Sequence, residues 1–521
     1  MARRLAIRGG LVHDGTGAEP VAADVLVDSG RITAVGALGG VDAEALDATG
    51  CVVAPGFVDV HSHSDYTLLV DPRAVSSIHQ GVTTEVIGNC GFGCFPIVDP
   101  QAAAAGIYGY RDDHRVDWRT AAEYLERLEA AAPAVNVATL VPNGQLRRTA
   151  MAQPSEVARP DEVAGMARLL AEALDAGAWG YSTGLEYAVE ERADEREVAE
   201  LCRVAARVDA LYATHTRARG GDGVDGVAEA LRTARAADVR LQISHLLPRG
   251  GPAGGERCIA AVDAAIAAGQ DVMFDQHTRP HGFTYLLAAL PPGALDGGPA
   301  ALARRLGDPA ERALMRGYRG ILGDDFSRVV LLDNQRWPGY ARRDLAQIAD
   351  ERGQEPIDAV LDLLAGAVDD LHDLTVILPA YTPQQQREAF AHPCCMPASD
   401  ATALAPDGPL AGSAFHGAYT WAAWYWRTIV REARALTAAQ AIRRLTALPA
   451  QRVGMRDRGR LAEGLRADVA VFDPDTFAER GTTFAPNRIA VGMRHVLVNG
   501  VVTLRDGAAT GARGGQVLRR T

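Results

Sequence analysis

Lysine is missing from this chain: all 53 of its basic residues are arginine. Any metal centre here is therefore built without a ligand derived from lysine. The surplus of alanine, glycine and arginine reads as a base-composition bias, not a functional adaptation. Long apolar runs are missing too. No stretch reaches the ~18 consecutive apolar residues of a membrane span. The start, Met1-Ala2-Arg3-Arg4, is soon interrupted by Gly9, Gly10, His13 and Asp14 and has no apolar core of a secretory signal. The cysteines (Cys51, Cys90, Cys94, Cys202, Cys258, Cys394 and Cys395) are odd in number and scattered. They give no disulfide framework, which fits a reducing compartment. Positive charge is in short supply as well. A net charge of −12 argues against nucleic acid or an anionic membrane as the main partner. These absences predict a soluble, cytoplasmic globular protein whose partner is a small molecule; they leave the oligomeric state open.

What is present has a two-part texture. Residues 1–54 read as short strands (Leu5–Arg8, Ala23–Val27, Arg31–Val35) with Asp28-Ser29-Gly30 as a hairpin turn. Residues 456–521 repeat that texture in Asp468–Phe472, His495–Asn499 and Val501–Leu504, with Asn499-Gly500 as another turn. Neither end carries enough apolar surface for its own core, so the two are expected to combine into one small β-sandwich domain. Between them, over residues 55–455, strand-length apolar runs alternate with helical stretches. The runs are Thr83–Ile87, Val135–Val141, Gly180–Ser182, Leu211–Thr214, Leu241–Ser244, Asp271–Phe274 and Thr375–Ile377. The helices include Ala121–Ala132, Asp161–Ala176, Glu195–Val208 and Val224–Ala237. Strand then helix, repeated about eight times, predicts an α/β fold of the TIM-like (β/α)8 barrel type. A Pro/Gly-rich interruption at about residues 281–375 predicts an inserted subdomain.

The strand ends carry the chemistry. His61 and His63 follow an apolar segment, Val52 to Val60. Two imidazoles one residue apart project to the same side of an extended backbone. Cys90 follows the next strand in Gly88-Asn89-Cys90-Gly91; His215 and His245 end two later ones; Asp400 follows Met396-Pro397-Ala398-Ser399. Taken singly, a strand-end histidine is more often a hydrogen-bonded or surface residue. Cys90 alone reads as a small buried hydrophobe, and Asp400 has the ordinary reading of a helix cap. All six, however, fall at the same end of successive strands, where barrel enzymes place their catalytic groups. Imidazole and thiolate suit zinc, and a carboxylate completes a shell or acts as a base.

The motifs bearing these residues identify the chain as resembling the amidohydrolase superfamily, and within it the N-acyl-D-amino-acid deacylase (D-aminoacylase) group. The resemblance runs almost end to end. It is carried by Ala54-Pro55-Gly56-Phe57-Val58-Asp59-Val60-His61-Ser62-His63-Ser64-Asp65, by Gln80-Gly81-Val82-Thr83-Thr84, and by Gly88-Asn89-Cys90-Gly91. Gly180-Tyr181-Ser182-Thr183-Gly184-Leu185, Tyr212-Ala213-Thr214-His215-Thr216-Arg217, Gln242-Ile243-Ser244-His245 and Ser399-Asp400 extend it. The first motif is common to the superfamily; the asparagine-cysteine-glycine and serine-threonine-glycine-leucine motifs are more particular to the group. Many superfamily members bridge two metals with a carboxylated lysine, whereas in this group a cysteine at the place of Cys90 ligates the metal. The resemblance implies a tight zinc (Zn2+) on Cys90, His215 and His245. It implies a second, weaker or vacant site at His61 and His63, with Asp400 as the general base and acid that serves hydrolysis of a small-molecule amide.

The substrate clamp departs from the group. The usual lysine after the second metal histidine is replaced within His245-Leu246-Leu247-Pro248-Arg249-Gly250. A tyrosine- and serine-rich stretch becomes Asp275-Gln276-His277-Thr278-Arg279-Pro280-His281, and a glycine-histidine-glycine becomes Pro142-Asn143-Gly144. Arg249 or Arg279 is a candidate replacement cation, though arginine is no simple stand-in for lysine. Tyr187, His277 and His416 are further candidate substrate residues. The aromatic stretch Tyr419, Trp421, Trp424, Tyr425 and Trp426 reads either as an acyl pocket or as helix packing. Two rival functions are weighed. One is a hydrolase of cyclic amides (hydantoinase- or dihydroorotase-like) or a specialised natural-product amidohydrolase. The other is a non-catalytic scaffold, against which six retained ligand-type residues stand.

Overall fold

A computed structural model describes residues 4–111, 114–217, 219–318 and 320–520. Eight parallel strands stand in chain order: β1 (Phe57–Asp59), β2 (Val82–Ile87), β3 (Asn136–Pro142), β4 (Gly180–Gly184), β5 (Leu211–His215), β6 (Leu241–Ile243), β7 (Val272–His277) and β8 (Cys395–Ala398). They are buried almost throughout, as strands covered on both faces must be. Outside them pack amphipathic helices such as Pro160–Asp175, Glu195–Ala206 and Val224–Ala237. β1 and β8 are the two ends of the strand order, and main-chain bonds join them just past their last residues. The His63 N–H donates to the Ala401 carbonyl at 2.8 Å, and the Asp400 N–H to the His61 carbonyl at 2.9 Å. The barrel is thus drawn shut by the segments that carry its candidate ligands.

The apolar segment from Val52 to Val60 is two strands, not one. Val52–Pro55 pairs with Val469–Phe472 in the sheet of the chain ends, and β1 begins at Phe57. The handover at Gly56 requires glycine, because a Cβ there would lie 2.1 Å from Thr83 Oγ1. That terminal sheet has nine strands, five from residues 5–55 and four from residues 469–509. Its core holds Ile7, Val25, Ile32, Val53, Val471 and Leu497. The hairpin turns at Gly30 and Gly500 meet across it: a Cβ at Gly500 would lie 2.7 Å from the Gly30 Cα.

A buried polar latch ties this sheet to the barrel. Asp468 pairs with Arg458 at 2.5 Å, both side chains no more than 3% exposed. The same carboxylate accepts from Asn136 Nδ2 on β3 at 3.2 Å and from the Asn499 N–H at 2.7 Å. Removing one partner of a buried pair strands the other charge, so Asp468→Ala is expected to destabilise the fold by about 3–5 kcal/mol. Urea unfolding checks this; an unchanged midpoint would show that the latch carries no stability.

Between β7 and β8 the chain builds a separate body. Three antiparallel strands, His281–Tyr285, Val330–Leu331 and Thr375–Pro379, and four helices enclose their own core around Leu302, Val329, Val360, Leu364 and Val376. This corrects one expectation: Thr375–Ile377 is no barrel strand but the central strand of this small sheet. A short β-rich apolar run looks the same in either setting. Among the described residues no helix is long and apolar enough to cross a membrane.

Candidate metal centre

The ligand atoms of His61, Cys90, His245 and Asp400 all lie within 4.8 Å of one another. They come from the ends of β1, β2, β6 and β8. Cys90 Sγ stands at the middle, 3.2 Å from His61 Nε2 and 3.5 Å from His245 Nε2. Asp400 Oδ1 is 3.5 Å from His61 Nε2 and 3.3 Å from His63 Nε2. The His61 and His63 rings are 5.3 Å apart although β1 ends at Asp59, two residues before the first of them.

The main chain aims three of these groups. Cys90, His245 and Asp400 have φ of 53°, 33° and 45°, in the left-handed region that costs a residue with a Cβ roughly 1–2 kcal/mol. Strain of this kind persists only where the surroundings over-determine it. Here Asp275 does much of that. Its Oδ1 accepts from the His245 N–H at 2.8 Å and lies 3.2 Å from His61 Nδ1, while Oδ2 accepts from Gln242 Nε2 at 2.9 Å. A carboxylate on one ring nitrogen fixes the other as the ligand atom. Asp59 Oδ1 accepts from the His61 and Ser399 N–H groups at 3.3 and 3.1 Å, tying the first and last ligand segments together.

His215 stands one ring away, 4.7 Å from the His245 ring between centroids. Its Nε2 faces Glu186 Oε2 at 3.0 Å, and its buried Nδ1 has no protein partner. The Nδ1 atoms of His63 and His245 are likewise buried and unpartnered. Burial, only partly offset by Glu186, lowers the His215 pKa to about 4, and burial with the Arg219 charge puts His245 well below the ordinary range. Both rings are therefore neutral at pH 7, the form in which imidazole ligates a metal. Burial works against the Asp400 carboxylate, but Arg279 and His63 outweigh it and hold the group well below the usual carboxylate range. A thiol, imidazoles and a carboxylate, drawn together without lysine, fit zinc.

The candidate substrate residues divide. Arg279 is committed: Nη2 donates to Asp400 Oδ2 at 2.6 Å, and Nη1 to the carbonyls of Ser399, Asp400 and His416. It orients the base with both Nη groups and leaves only Nε without a protein partner. Arg249 pairs with Glu186 at 2.6 Å at the cavity wall. Tyr187 and His277 line the same cavity, whereas His416 is held by the Thr483 carbonyl away from it. Trp421, Tyr425 and Trp426 are packed in the main core as helix packing, whereas Tyr419 belongs to a separate cluster with Tyr108 and Phe415. The rings that do flank the site are Tyr108, 4.6 Å from His63, together with Phe92 and Phe415.

Sequence reasoning missed Arg219. It lines the cavity beside His215, His245 and Asp400. Its Nη2 donates to the His245 and Leu247 carbonyls and to Tyr381 Oη at 2.9 Å, while Nε finds no protein acceptor. A guanidinium from the segment after β5 thus occupies main-chain carbonyls in the segment after β6, at His245 and Leu247. In a chain whose every cation is arginine, no composition signal distinguished it.

Such a barrel, with its ligands on the strand ends and a sheet made from both chain ends, defines a metal-dependent hydrolase. The chain belongs to the amidohydrolase family, whose model it matches over residues 44–504. It is 34% identical to the N-acyl-D-glutamate deacylase of Alcaligenes xylosoxydans xylosoxydans, over 99% of this chain and 96% of that one. It is 32% identical to the D-aminoacylase of the same organism, over 99% and 98% of the two chains. The crystal structure of the N-acyl-D-glutamate deacylase of Bordetella bronchiseptica, complexed with zinc and a phosphonate mimic of the tetrahedral intermediate, superposes with a TM-score of 0.81. The identity there is 32%, over the full length of both chains. Within the family, the chain stands in the N-acyl-D-amino-acid deacylase group.

Proposed function

We propose that this protein is a zinc-dependent deacylase that hydrolyses the amide of an N-acyl D-amino acid. The observation that carries the reading is the convergence of His61, Cys90, His245 and Asp400 within 4.8 Å. Cys90, His215 and His245 would hold a tight ion; His61, His63 and Asp400 would hold a second, weaker one. Cys90 faces both sides, which suits it to bridge. Zinc, when bound, supplies Lewis acidity toward the amide carbonyl and lowers the pKa of water to about 7. Asp400 receives the proton of the attacking water and returns it to the leaving nitrogen. Arg279 and His63 hold its carboxylate in place for both transfers. The rings of Tyr108, Phe92 and Phe415 shield that exchange from bulk solvent.

The substrate's α-carboxylate is assigned to Arg219, a guanidinium that lines the cavity beside the ligands and, unlike Arg249 and Arg279, is not already paired with a carboxylate. Charge-assisted bonds of this kind are the strong ones. Arg219→Leu is expected to raise KM about 10–100-fold and to lower kcat far less. A fall in kcat at unchanged KM would remove Arg219 from this role.

The whole reading is tested with zinc-loaded protein and a panel of N-acyl-D-amino acids, their L forms and hydantoins. Release of the free D-amino acid is expected. Ring opening without any deacylation would assign the chain to cyclic amides instead.

A further inference from the structure

At Tyr108 and Tyr187 a second cavity adjoins the first, sharing these two rings, Thr284 and Ile321 with it. Two carboxylates line it, Glu186, paired with Arg249, and Glu190, which accepts from the Gly184 N–H and Asn143 Nδ2; most of the remaining wall is apolar or aromatic, including Tyr285, Leu287, Leu290 and Leu295. One cation stands in this lining: Arg148, on the helix Asn143–Ala150 that springs directly from the ligand end of β3.

Arg148 is unlike the arginines around it. Its neighbour Arg147 is paired with Glu197, Arg249 with Glu186, and Arg279 with Asp400. Arg148 makes one long bond, from Nη1 to the Gly144 carbonyl at 3.4 Å. Among the described residues no carboxylate comes within ion-pair distance of it; Glu190 and Asp296 act on it only from further away. Burial pushes its pKa down to about 10. Two glycines make room for the guanidinium: Cβ atoms at Gly106 and Gly144 would lie 3.2 and 3.4 Å from Nη1. Arg148 is partly buried, and a charge drawn out of water without a counter-ion is costly in a folded protein. An anion arriving with the ligand removes that cost.

We propose that this cavity is a second carboxylate subsite, in which the non-reacting end of the substrate passes Tyr187 and presents an anionic group to Arg148. The preferred substrate is then a dianion: an N-acyl amino acid with a carboxylate beyond the α-carboxylate. This rests on the deacylase reading above. The apolar walls suit the methylene groups that separate the two charges. The second carboxylate comes either from the amino-acid side chain or from the far end of a dicarboxylic acyl group.

The test compares N-acetyl-D-leucine, N-acetyl-D-glutamate and N-succinyl-D-leucine on zinc-loaded wild type, Arg148→Gln and Arg148→Lys. One of the two dianions is expected to exceed N-acetyl-D-leucine in kcat/KM by about 10–100-fold, the worth of a charge-assisted pair. Preference for the glutamate compound places the carboxylate on the side chain; preference for the succinyl compound places it on the acyl tail. In Arg148→Gln the ratio of dianion to monoanion should collapse toward unity, and Arg148→Lys should restore part of it. Calorimetric binding of glutarate gives a second readout that needs no turnover, and Arg148→Gln should weaken it about tenfold or more. Amide hydrolysis with no dianion preference, or with a ratio that survives in Arg148→Gln, overturns the subsite alone. Arg148-dependent glutarate binding without hydrolysis of any amide overturns the deacylase reading and leaves the subsite standing.

Discussion

Asp400→Asn should lower kcat by about 10²–10⁴-fold, the usual contribution of a positioned general base, while zinc remains bound. The substitution keeps the side chain's shape and removes its ability to accept a proton. Arg279 would still meet one of its polar atoms, so the loop that closes the barrel at Asp400 has little reason to move. The expected pattern is therefore a fall in turnover with zinc content preserved, read by stopped assays beside elemental analysis. Wild-type turnover with bound zinc would exclude Asp400 as the base. Loss of zinc together with activity would instead make it chiefly a ligand.

Cys90→Ala should do the opposite: the metal goes first. Cys90 Sγ lies 3.2 Å from His61 Nε2 and 3.5 Å from His245 Nε2, and its replacement leaves neither group of nitrogens a thiolate. Changes one shell further out in metal sites already cost 10–100-fold in affinity, so removing this ligand should cost more than about 100-fold. Zinc titration against a competing chelator measures it. Activity should vanish with the metal and return only at zinc concentrations far above those the wild type needs. Unaltered zinc affinity would show that the nitrogens alone form the site.

Much of this was written in the order of residues. The strand–helix alternation gave the barrel because each strand is a compact apolar run with its helix beside it in sequence. The strand-end positions of His61, His63, Cys90, His215, His245 and Asp400 were legible because each ends or follows a barrel strand in sequence. Other parts depended on pairings across the fold. Asp275 is two residues from His277 in sequence, but its importance lies in reaching His61 and the His245 main chain. Glu186 matters because it receives both His215 and Arg249. Arg279 looked free because nothing local shows that it folds back on Asp400. Thr375–Ile377 went to the wrong sheet because composition speaks to strand formation and is silent on the partner.

The left-handed torsions at Cys90, His245 and Asp400 have a consequence for how metal is acquired. When the backbone sets direction, a ligand side chain has only one or two remaining torsions to freeze on capture. The ordering entropy of the centre is then spent during folding, together with roughly 3–6 kcal/mol of conformational strain for the three residues. An ion entering afterwards meets a cradle already shaped for it, so stripping and refilling are exchange events within a standing structure. The protein is, in this sense, a container built before its contents arrive, and metal supply would govern how many molecules are active without governing how many are folded.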